Sequence, residues 1–254
     1  SLVGWMMGGL GAVVSLASMF FGAISGSSLA TVSCIGGIMV PEMQKKGYDL
    51  GYSAVFTACA GTIGAVIPPS IPLVVYGVCT STSIGDLFLG GIFPGVMIGI
   101  ALIISNYIVC KKKGYVGAER KSGREILKAV WEAKWALFAP VIILGGIYSG
   151  IFTPTEASVV SVVYSTIVAL FIYKEITWKD LYNAIVGAAV TNGTTTFLLG
   201  LSTAFAALLS FEQIPSMLTN AIINFTDNKF LFLMLVNVIL LVIGCFIDNI
   251  PATT

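Results

Sequence analysis

Histidine is absent from this chain of 254 residues, and only 10% of its residues are charged. The lack of histidine excludes Ser-His and Cys-His nucleophiles and most zinc sites. No Walker A motif is present, so the chain does not itself hydrolyse a nucleotide. Its serines form neither a GxSxG nor a Ser-x-x-Lys motif, which argues against a membrane protease. We therefore expect no enzyme activity and no organic cofactor.

Cysteine and net charge are also scarce. The five cysteines contain no CxxC pair and lie in or beside apolar segments. We expect them to be small buried hydrophobic residues rather than disulfides or metal ligands. A net charge of +1 indicates no nucleic-acid partner. The cysteines are Cys34, Cys59, Cys79, Cys110 and Cys245.

Long apolar stretches dominate the chain, which is 57% hydrophobic. Soluble domains carry about 25% charged residues, so this composition is typical of an integral membrane protein. The apolar stretches are too long for the alternating strands of a β-barrel, and they predict an all-α protein that crosses the bilayer several times. The chain begins without a start methionine and stops soon after a polar break, so we expect further elements on both sides.

The first polar interruption is the stretch Ser25-Gly26-Ser27-Ser28. Loop backbone inside hydrocarbon is tolerated only where protein or a watery cavity satisfies its hydrogen bonds. The two apolar arms, within residues 8–45, are short for a span of about 20 residues. This pattern favours a re-entrant helical hairpin with the serines at its tip. The alternative is a surface where small residues let helices pack closely.

Residues 50–80 are apolar but interrupted by Pro68-Pro69-Ser70, with a third proline two residues later. Each proline lacks an amide donor and clashes with the preceding helical turn. We therefore predict a discontinuous helix, with a simple kinked helix as the alternative. Freed carbonyl groups at such a break suit Na⁺, and the N-terminus of a half-helix favours an anion. A membrane span is predicted next, at 86–110.

A basic connector at 111–135 follows this first repeat, 1–110. Eight of the thirteen basic residues of the chain lie in the connector, which the positive-inside rule assigns to the cytoplasmic side. Apolar residues recur in it at helical spacing, opposite charged residues, as in an amphipathic helix at the membrane interface. Contact with lipid headgroups explains the basic residues without a role in substrate binding.

The rest of the chain, 136–254, follows a similar order of elements. Two apolar spans are predicted within 136–173, a second hairpin at about 186–226, and a second discontinuous helix at 230–254. The helix is interrupted at Asp248, and an ionisable residue inside a membrane segment is a functional-site hypothesis by default. A helix end is the alternative. Interrupted segments at matching positions are typical of inverted-repeat transporters with a site near the midplane.

The number of membrane crossings stays open at this stage. With a cytoplasmic connector and two spans after it, the second hairpin would begin on the cytoplasmic side. Inverted symmetry requires it to begin outside. Either residues 178–200 cross the membrane, or 136–173 contain a different number of crossings.

Four separated motifs follow one another along the chain. They are Phe21-Gly22-Ala23-Ile24-Ser25-Gly26-Ser27-Ser28-Leu29-Ala30-Thr31, Gly47-Tyr48-Asp49, Ile67-Pro68-Pro69-Ser70-Ile71-Pro72-Leu73-Val74-Val75-Tyr76-Gly77 and Gly150-Ile151-Phe152-Thr153-Pro154-Thr155-Glu156-Ala157. Together they resemble the large membrane subunit (M subunit) of tripartite ATP-independent periplasmic (TRAP) transporters, and the resemblance extends over the whole chain.

The resemblance implies an inverted-repeat, elevator-type secondary transporter with two re-entrant hairpins and two discontinuous helices. It implies a multi-pass protein of a bacterial or archaeal inner membrane that takes up an organic acid, such as a C4-dicarboxylate or sialic acid. Na⁺ would be the coupling ion. Two protein partners are implied, a small four-helix membrane subunit and a periplasmic substrate-binding protein that delivers the acid.

The resemblance also implies where the ion and the substrate bind. Na⁺ would be held mainly by backbone carbonyls at the first hairpin and at the two helix breaks. Some relatives have an aspartate where this chain has Thr31, which argues against sialic acid as the substrate and against a carboxylate acting there. The implied site residues are Ser25, Gly26, Ser27, Ser28, Thr31, Pro68, Pro69, Ser70, Gly244, Asp248, Asn249 and Pro251.

Three other functions remain as alternatives. One is a dicarboxylate or citrate carrier of related build that works without a binding protein. A channel is another, although no ring-forming filter motif is present. A membrane enzyme is the weakest, because the chain has no histidine and no nucleophile motif.

Overall fold

The computed structural model of the chain describes residues 6–115, 123–217, 220 and 228–245, and these residues are predominantly helical. Within them, three helices are long and apolar enough to cross a membrane: Ile84–Lys113, Pro154–Tyr173 and Trp178–Phe211. The bent pair Gly123–Glu132 and Lys134–Tyr148 is a fourth candidate. The predicted all-helical membrane architecture is therefore confirmed. The inverted repeat and the elevator motion stay predictions.

The chain divides into two compact units, Ser1–Thr177 and Trp178–Thr254. The first unit contains α1 (Gly9–Ser25), α2 (Ser28–Lys45), α3 (Leu50–Gly61) with a 3₁₀ turn (Thr62–Ala65), α4 (Ile71–Thr80), α5 (Ile84–Lys113), α6 (Gly123–Glu132), α7 (Lys134–Tyr148) and α8 (Pro154–Ile167), which continues as a π-helical turn (Val168–Tyr173). The second unit contains α9 (Trp178–Phe211) and α10 (Lys229–Gly244).

A sharp break separates α1 from α2. Gly26 adopts the left-handed conformation, with φ of 63°, and its N–H donates to the Gly22 carbonyl at 2.9 Å. Ser27 then caps α2, because its side-chain oxygen accepts the N–H of Ala30 at 3.4 Å. A left-handed glycine ends a helix and a serine begins one, so these two residues produce the turn where the sequence predicts it. The two helices pack against each other.

The proline-rich segment is a broken helix rather than a kinked one. After α3 the chain tightens into the 3₁₀ turn, and α4 begins only at Ile71, with Ser70 as its N-cap. The Ser70 hydroxyl donates to the Ala65 carbonyl at 2.6 Å and accepts the Leu73 N–H at 3.3 Å. Ser70 therefore connects the two half-helices across prolines that have no N–H to donate.

The two breaks touch each other. The Ile71 N–H donates to the Gly26 carbonyl at 3.1 Å. A Cβ added at Gly26 would lie 2.6 Å from the Pro69 carbonyl oxygen, and one added at Gly22 would lie 2.8 Å from the Gly64 Cα. Neither glycine leaves space for a side chain. Close backbone approach through small residues thus joins the α1–α2 turn to the α3–α4 break.

Helix α5 supports this junction from the other side. A Cβ added at Gly91 would lie 2.7 Å from the Val66 carbonyl oxygen, and Gly95 lies directly against Ile67. Both glycines belong to α5, one helical turn apart, so they form a flat surface against which the end of the 3₁₀ turn packs.

A buried polar network lies near the opposite end of α5. Asn106 is only 1% exposed. Its Nδ2 donates to the Gly8 carbonyl at 2.7 Å, and its Oδ1 accepts the Tyr52 hydroxyl at 2.9 Å. Gly8 precedes α1 and Tyr52 lies on α3, so one side chain links three helices. Pairing of this kind is required because an unpaired buried amide is costly.

The connector between α2 and α3 contacts the end of α5. Asp49 caps α3 by accepting the Tyr52 N–H at 2.9 Å, and its own N–H donates to the Tyr115 hydroxyl at 3.1 Å. The ring of Tyr48 stacks on that of Tyr115 with centroids 4.3 Å apart. The motif Gly47-Tyr48-Asp49 therefore has a structural role, fixing the base of the α1–α2 hairpin.

Helices α7 and α8 form a second helical pair. Thr153 caps α8, and its N–H and hydroxyl both donate to the Glu156 carboxylate, at 2.8 and 2.9 Å. This capping box defines the start of α8 and explains Glu156 without a binding role. Helix α6, which precedes α7 at a bend of 58°, is the amphipathic helix predicted in the basic connector.

In the second unit, α9 is continuous over 34 residues, about 51 Å. It runs through the polar stretch Thr191-Asn192-Gly193-Thr194, because the hydroxyls of Thr191 and Thr194 donate to carbonyls four residues earlier, each at 3.0 Å. Its length and composition suit a membrane crossing. The chain turns after Phe211, and most of the second arm of the hairpin predicted at 186–226 lies outside the described residues.

The expectation of buried cysteines is mostly wrong. All five are free thiols, as predicted, but only Cys110 is buried and Cys34 is half-buried. Cys59, Cys79 and Cys245 are exposed. The reason is physical: an apolar side chain on a membrane helix is as compatible with lipid as with a protein core.

Replacing Asn106 with leucine is expected to destabilise the protein by about 2 kcal/mol, because the Tyr52 hydroxyl and the Gly8 carbonyl lose their partner while staying buried. Thermal unfolding of the purified protein measures the effect. The control is Ser105→Ala at the neighbouring exposed position, which is expected to leave the unfolding temperature unchanged. Equal unfolding temperatures for N106L and S105A would show that the network contributes nothing.

Replacing Gly26 with alanine is expected to be more harmful than the same change at Gly114. Both glycines are left-handed, with φ of 63° and 72°, but a Cβ at Gly114 meets no atom within 4 Å. Gly114→Ala is expected to cost about 1 kcal/mol from backbone strain alone. Gly26→Ala adds the overlap with Pro69, about 1–3 kcal/mol more. Thermal unfolding of the two variants measures the difference in stability. Similar losses of stability would contradict the close contact between the breaks.

Candidate functional site

Three oxygen atoms cluster at the turn between α1 and α2, and we call them the tip oxygen cluster. They are the Ser25 hydroxyl, the Ser27 carbonyl and the Thr31 hydroxyl. The Thr31 hydroxyl donates to the Ser27 carbonyl at 2.8 Å, and the Ser25 hydroxyl lies 3.3 Å from the Thr31 hydroxyl and 3.5 Å from the Ser27 carbonyl. Thr31 is 0% exposed, whereas Ser25 and Ser27 are half-buried, so the cluster lies at the edge of the packed interior.

Local helix geometry and one glycine create the cluster. Ser25 ends α1, and Thr31 lies one turn into α2, four residues after Ser27, so its side chain reaches back to that carbonyl. A Cβ added at Gly64 would lie 2.8 Å from the Ser27 carbonyl oxygen and would overlap the Thr31 hydroxyl. The backbone of the 3₁₀ turn therefore closes the cluster from behind.

A cavity of about 400 Å³ adjoins the tip. One wall consists of the α1–α2 turn and the α3–α4 break, including Ser25, Gly26, Pro69 and Ser70. The other wall belongs to α7 and α8. The remaining lining residues are mostly apolar: Ile24, Ile71, Val74, Val75, Phe88, Ile143, Ile147, Pro154, Ser158, Ser161 and Val162.

The predicted site residues of the first half fall into two groups, the tip oxygen cluster and the cavity lining. Ser25 belongs to both groups. Ser27 and Thr31 belong to the tip oxygen cluster rather than to the cavity lining. Pro68 is buried in the break, and Ser28 is the first residue of α2. The sequence reasoning missed Ser158 and Ser161. Their only sequence signal is a pair of hydroxyls three residues apart in an otherwise apolar helix.

The N-termini of the two helices at the site differ in the donors they offer. The first amide of α4, at Ile71, donates to Gly26, the next residue is a proline, and Leu73 and Val74 both donate to Ser70. Helix α4 therefore contributes its dipole but no free N–H group. At the start of α2, the amides of Ser28 and Leu29 have no acceptor within the described part of the chain.

None of the described residues that line the cavity is charged. Among the residues that the structure describes, no group of three or more His, Cys, Asp or Glu side chains is placed to hold a metal ion. The site therefore consists of hydroxyls, carbonyls and helix ends in apolar surroundings. Such a site presents neutral oxygen atoms of the kind that hard cations prefer, and its described residues include no nucleophile with a base beside it.

The second half of the predicted site is described only in part. Gly244 is the last residue of α10. Asp248, Asn249 and Pro251 lie outside the described residues. Their role as a second ion-binding break stays a prediction.

The chain is similar over its whole length to known proteins of one family. The model of the family "Tripartite ATP-independent periplasmic transporter, DctM component" matches residues 1–254. The isethionate TRAP transporter permease protein DctMQ of Oleidesulfovibrio alaskensis is 42% identical over 99% of this chain. The C4-dicarboxylate TRAP transporter large permease protein DctM of Pseudomonas aeruginosa is 40% identical over 97% of it. The sialic acid TRAP transporter large permease protein SiaM of Vibrio cholerae is 39% identical over 98%.

The chain covers 40% of the length of the first of these relatives and 58% of the other two. The family match extends from the first residue to the last, and the resemblance carried by the four sequence motifs is confirmed. The chain belongs to the DctM family, the large permease component of tripartite ATP-independent periplasmic transporters.

Proposed function

We propose that the chain forms part of a sodium-coupled transporter that takes up an organic acid delivered by a periplasmic binding protein. The observation that carries this proposal is the tip oxygen cluster, which lies directly beside an uncharged cavity. Membership in the DctM family supports transport rather than catalysis. The finer features, namely the ion, the solute and the motion, rest on the following physical arguments.

The tip oxygen cluster suits Na⁺. Its ligand atoms are two hydroxyls and one carbonyl, which are hard and neutral oxygen donors. They lie 2.8 to 3.5 Å from one another, close enough to contact one ion together. Backbone carbonyls of interrupted helices coordinate Na⁺ in other transporters. We propose a related site near Asp248, in the second half.

A bound cation gives the cavity its preference for an acid. The described lining of the cavity has no charged residue, so an anion entering alone would lose its hydration without gaining an oppositely charged partner. Na⁺ in the tip oxygen cluster would place a positive charge next to Ser25, on the cavity wall. The dipole of α4 adds to the attraction. Binding of the ion and of a carboxylate are thereby coupled.

The partners are proposed from membership in the DctM family, and the energy source from the motifs of the chain. Because it has no nucleotide-binding motif, we propose that the sodium gradient drives uptake, with both hairpins moving together as in an elevator. A small four-helix membrane subunit would be the second membrane component. One relative, DctMQ, is named as a single permease protein, and the chain covers 40% of its length. The proposed location is a bacterial inner membrane, and the proposed solute is a C4-dicarboxylate or a similar carboxylate.

Uptake into proteoliposomes tests the proposal. The full-length permease is reconstituted with its small subunit, and its binding protein is supplied loaded with radiolabelled succinate, isethionate or sialic acid. We expect accumulation of at least one acid with an inward sodium gradient, and none with potassium in its place. Accumulation that is undiminished without sodium would overturn the coupling. Uptake that does not need the binding protein would instead favour a carrier that works alone.

The variant Thr31→Val is expected to weaken sodium binding about tenfold or more, because it removes one oxygen ligand while keeping the shape of the side chain. Thr31→Ser keeps the hydroxyl and is expected to behave like the original protein. The measurement is the sodium concentration that gives half-maximal uptake.

Ser33→Ala, at an exposed position on α2, is the matched control. It is expected to leave the sodium dependence unchanged. An unchanged half-maximal sodium concentration in T31V would remove Thr31, and with it the tip oxygen cluster, from the ion site.

A further inference from the structure

The wall of the cavity opposite the hairpin tip carries two hydroxyls, Ser158 and Ser161 of α8. Neither belongs to the turn or to the helix break that the proposed function uses. They lie on a helix that the sequence presents as an ordinary apolar span. The rest of that wall, from α7 and α8, is formed largely by Ile143, Ile147 and Val162.

The hydroxyls that line the cavity differ in whether their hydrogen-bonding capacity is already used. Ser70 donates to the Ala65 carbonyl at 2.6 Å and accepts from Leu73. Ser25 is paired within the tip oxygen cluster. Ser158 donates to the Pro154 carbonyl at 2.8 Å. Ser161 has no hydrogen-bond partner in the part of the chain that the structure describes, and it is half-buried. Its O–H is therefore the donor available to a solute.

The cavity consequently has polar groups on different helices and mostly apolar side chains elsewhere in its lining. Ser25 and Gly26 of the tip, next to the proposed ion, belong to one helix pair, and the free Ser161 hydroxyl belongs to α8. A short carbon chain suits the apolar lining, and a second acceptor on it would satisfy a donor that is otherwise left without a partner.

We propose that Ser161 donates a hydrogen bond to a polar group at the end of the solute farthest from the acid group held at the tip. The inference rests on the proposed function, and it names the solute class more narrowly. The preferred solute is a short organic acid with a second acceptor, such as another carboxylate or a hydroxyl. Ser161 is then a specificity-determining residue, because an acid without that acceptor leaves its hydroxyl unpaired.

Binding of matched acids tests this assignment. The full-length permease with its small subunit is placed in lipid nanodiscs, and apparent Kd values are obtained from thermal stabilisation in NaCl and in KCl. The probes form two pairs: succinate with butyrate, and isethionate with ethanesulfonate. The second member of each pair lacks the distal polar group.

For the member of a pair that carries the distal group, Ser161→Ala is expected to raise the apparent Kd about 3- to 10-fold. The Kd of its partner acid is expected to change less than twofold, which also shows that the variant is folded. Ser161→Thr keeps the hydroxyl and is expected to restore binding. Ser165→Ala, an exposed serine on the same helix that does not line the cavity, is the control.

Each result has one meaning. Equal Kd values for S161A and the original protein overturn the assignment, and so does a loss that affects both members of a pair alike. A comparable loss in S165A overturns it as well. If the original protein binds none of the four acids in a sodium-dependent way, the proposed function itself fails, and the role of Ser161 fails with it.

Discussion

The hydrogen bond between the Ile71 amide and the Gly26 carbonyl determines how the site is built. Each of these groups belongs to a helix end that would be left unpaired inside a membrane, and each satisfies the other. The bond brings the turn between α1 and α2 to the break between α3 and α4. It also uses the first amide of α4, so that donor is not available to a solute.

Contact at this distance requires glycine on the facing surfaces. Gly22 faces Gly64, Gly26 faces Pro69, and Gly64 also closes the tip oxygen cluster. The same small residues that allow the backbones to approach therefore bring main-chain and hydroxyl oxygens together. On sequence alone, close packing and ion binding are competing explanations of the Gly- and Ser-rich turn. The structure makes them compatible, because close packing produces the cluster of oxygen atoms that the proposed ion site would need.

The sequence predicts those parts of the structure that depend on local chemistry. The pair Pro68-Pro69 breaks a helix because two successive residues lack an N–H, whereas the single prolines Pro41 and Pro94 lie inside helices. A left-handed glycine followed by a serine marks the turn after α1. The sequence predicts contacts between distant segments less well. The Asn106 network joins residues 54 and 98 positions apart, and no local pattern reveals it.

The absence of charge among the described lining residues has a consequence for the proposed sodium coupling. A fixed arginine or lysine would attract an acid at all times, which would oppose its release. Under the proposed coupling, a mobile cation would supply the same attraction only while it is bound. The affinity for the acid would then change with the occupancy of the ion. Departure of the ion on the side where sodium is scarce would release the acid with it, and uptake would gain its direction without any change in the residues that line the cavity.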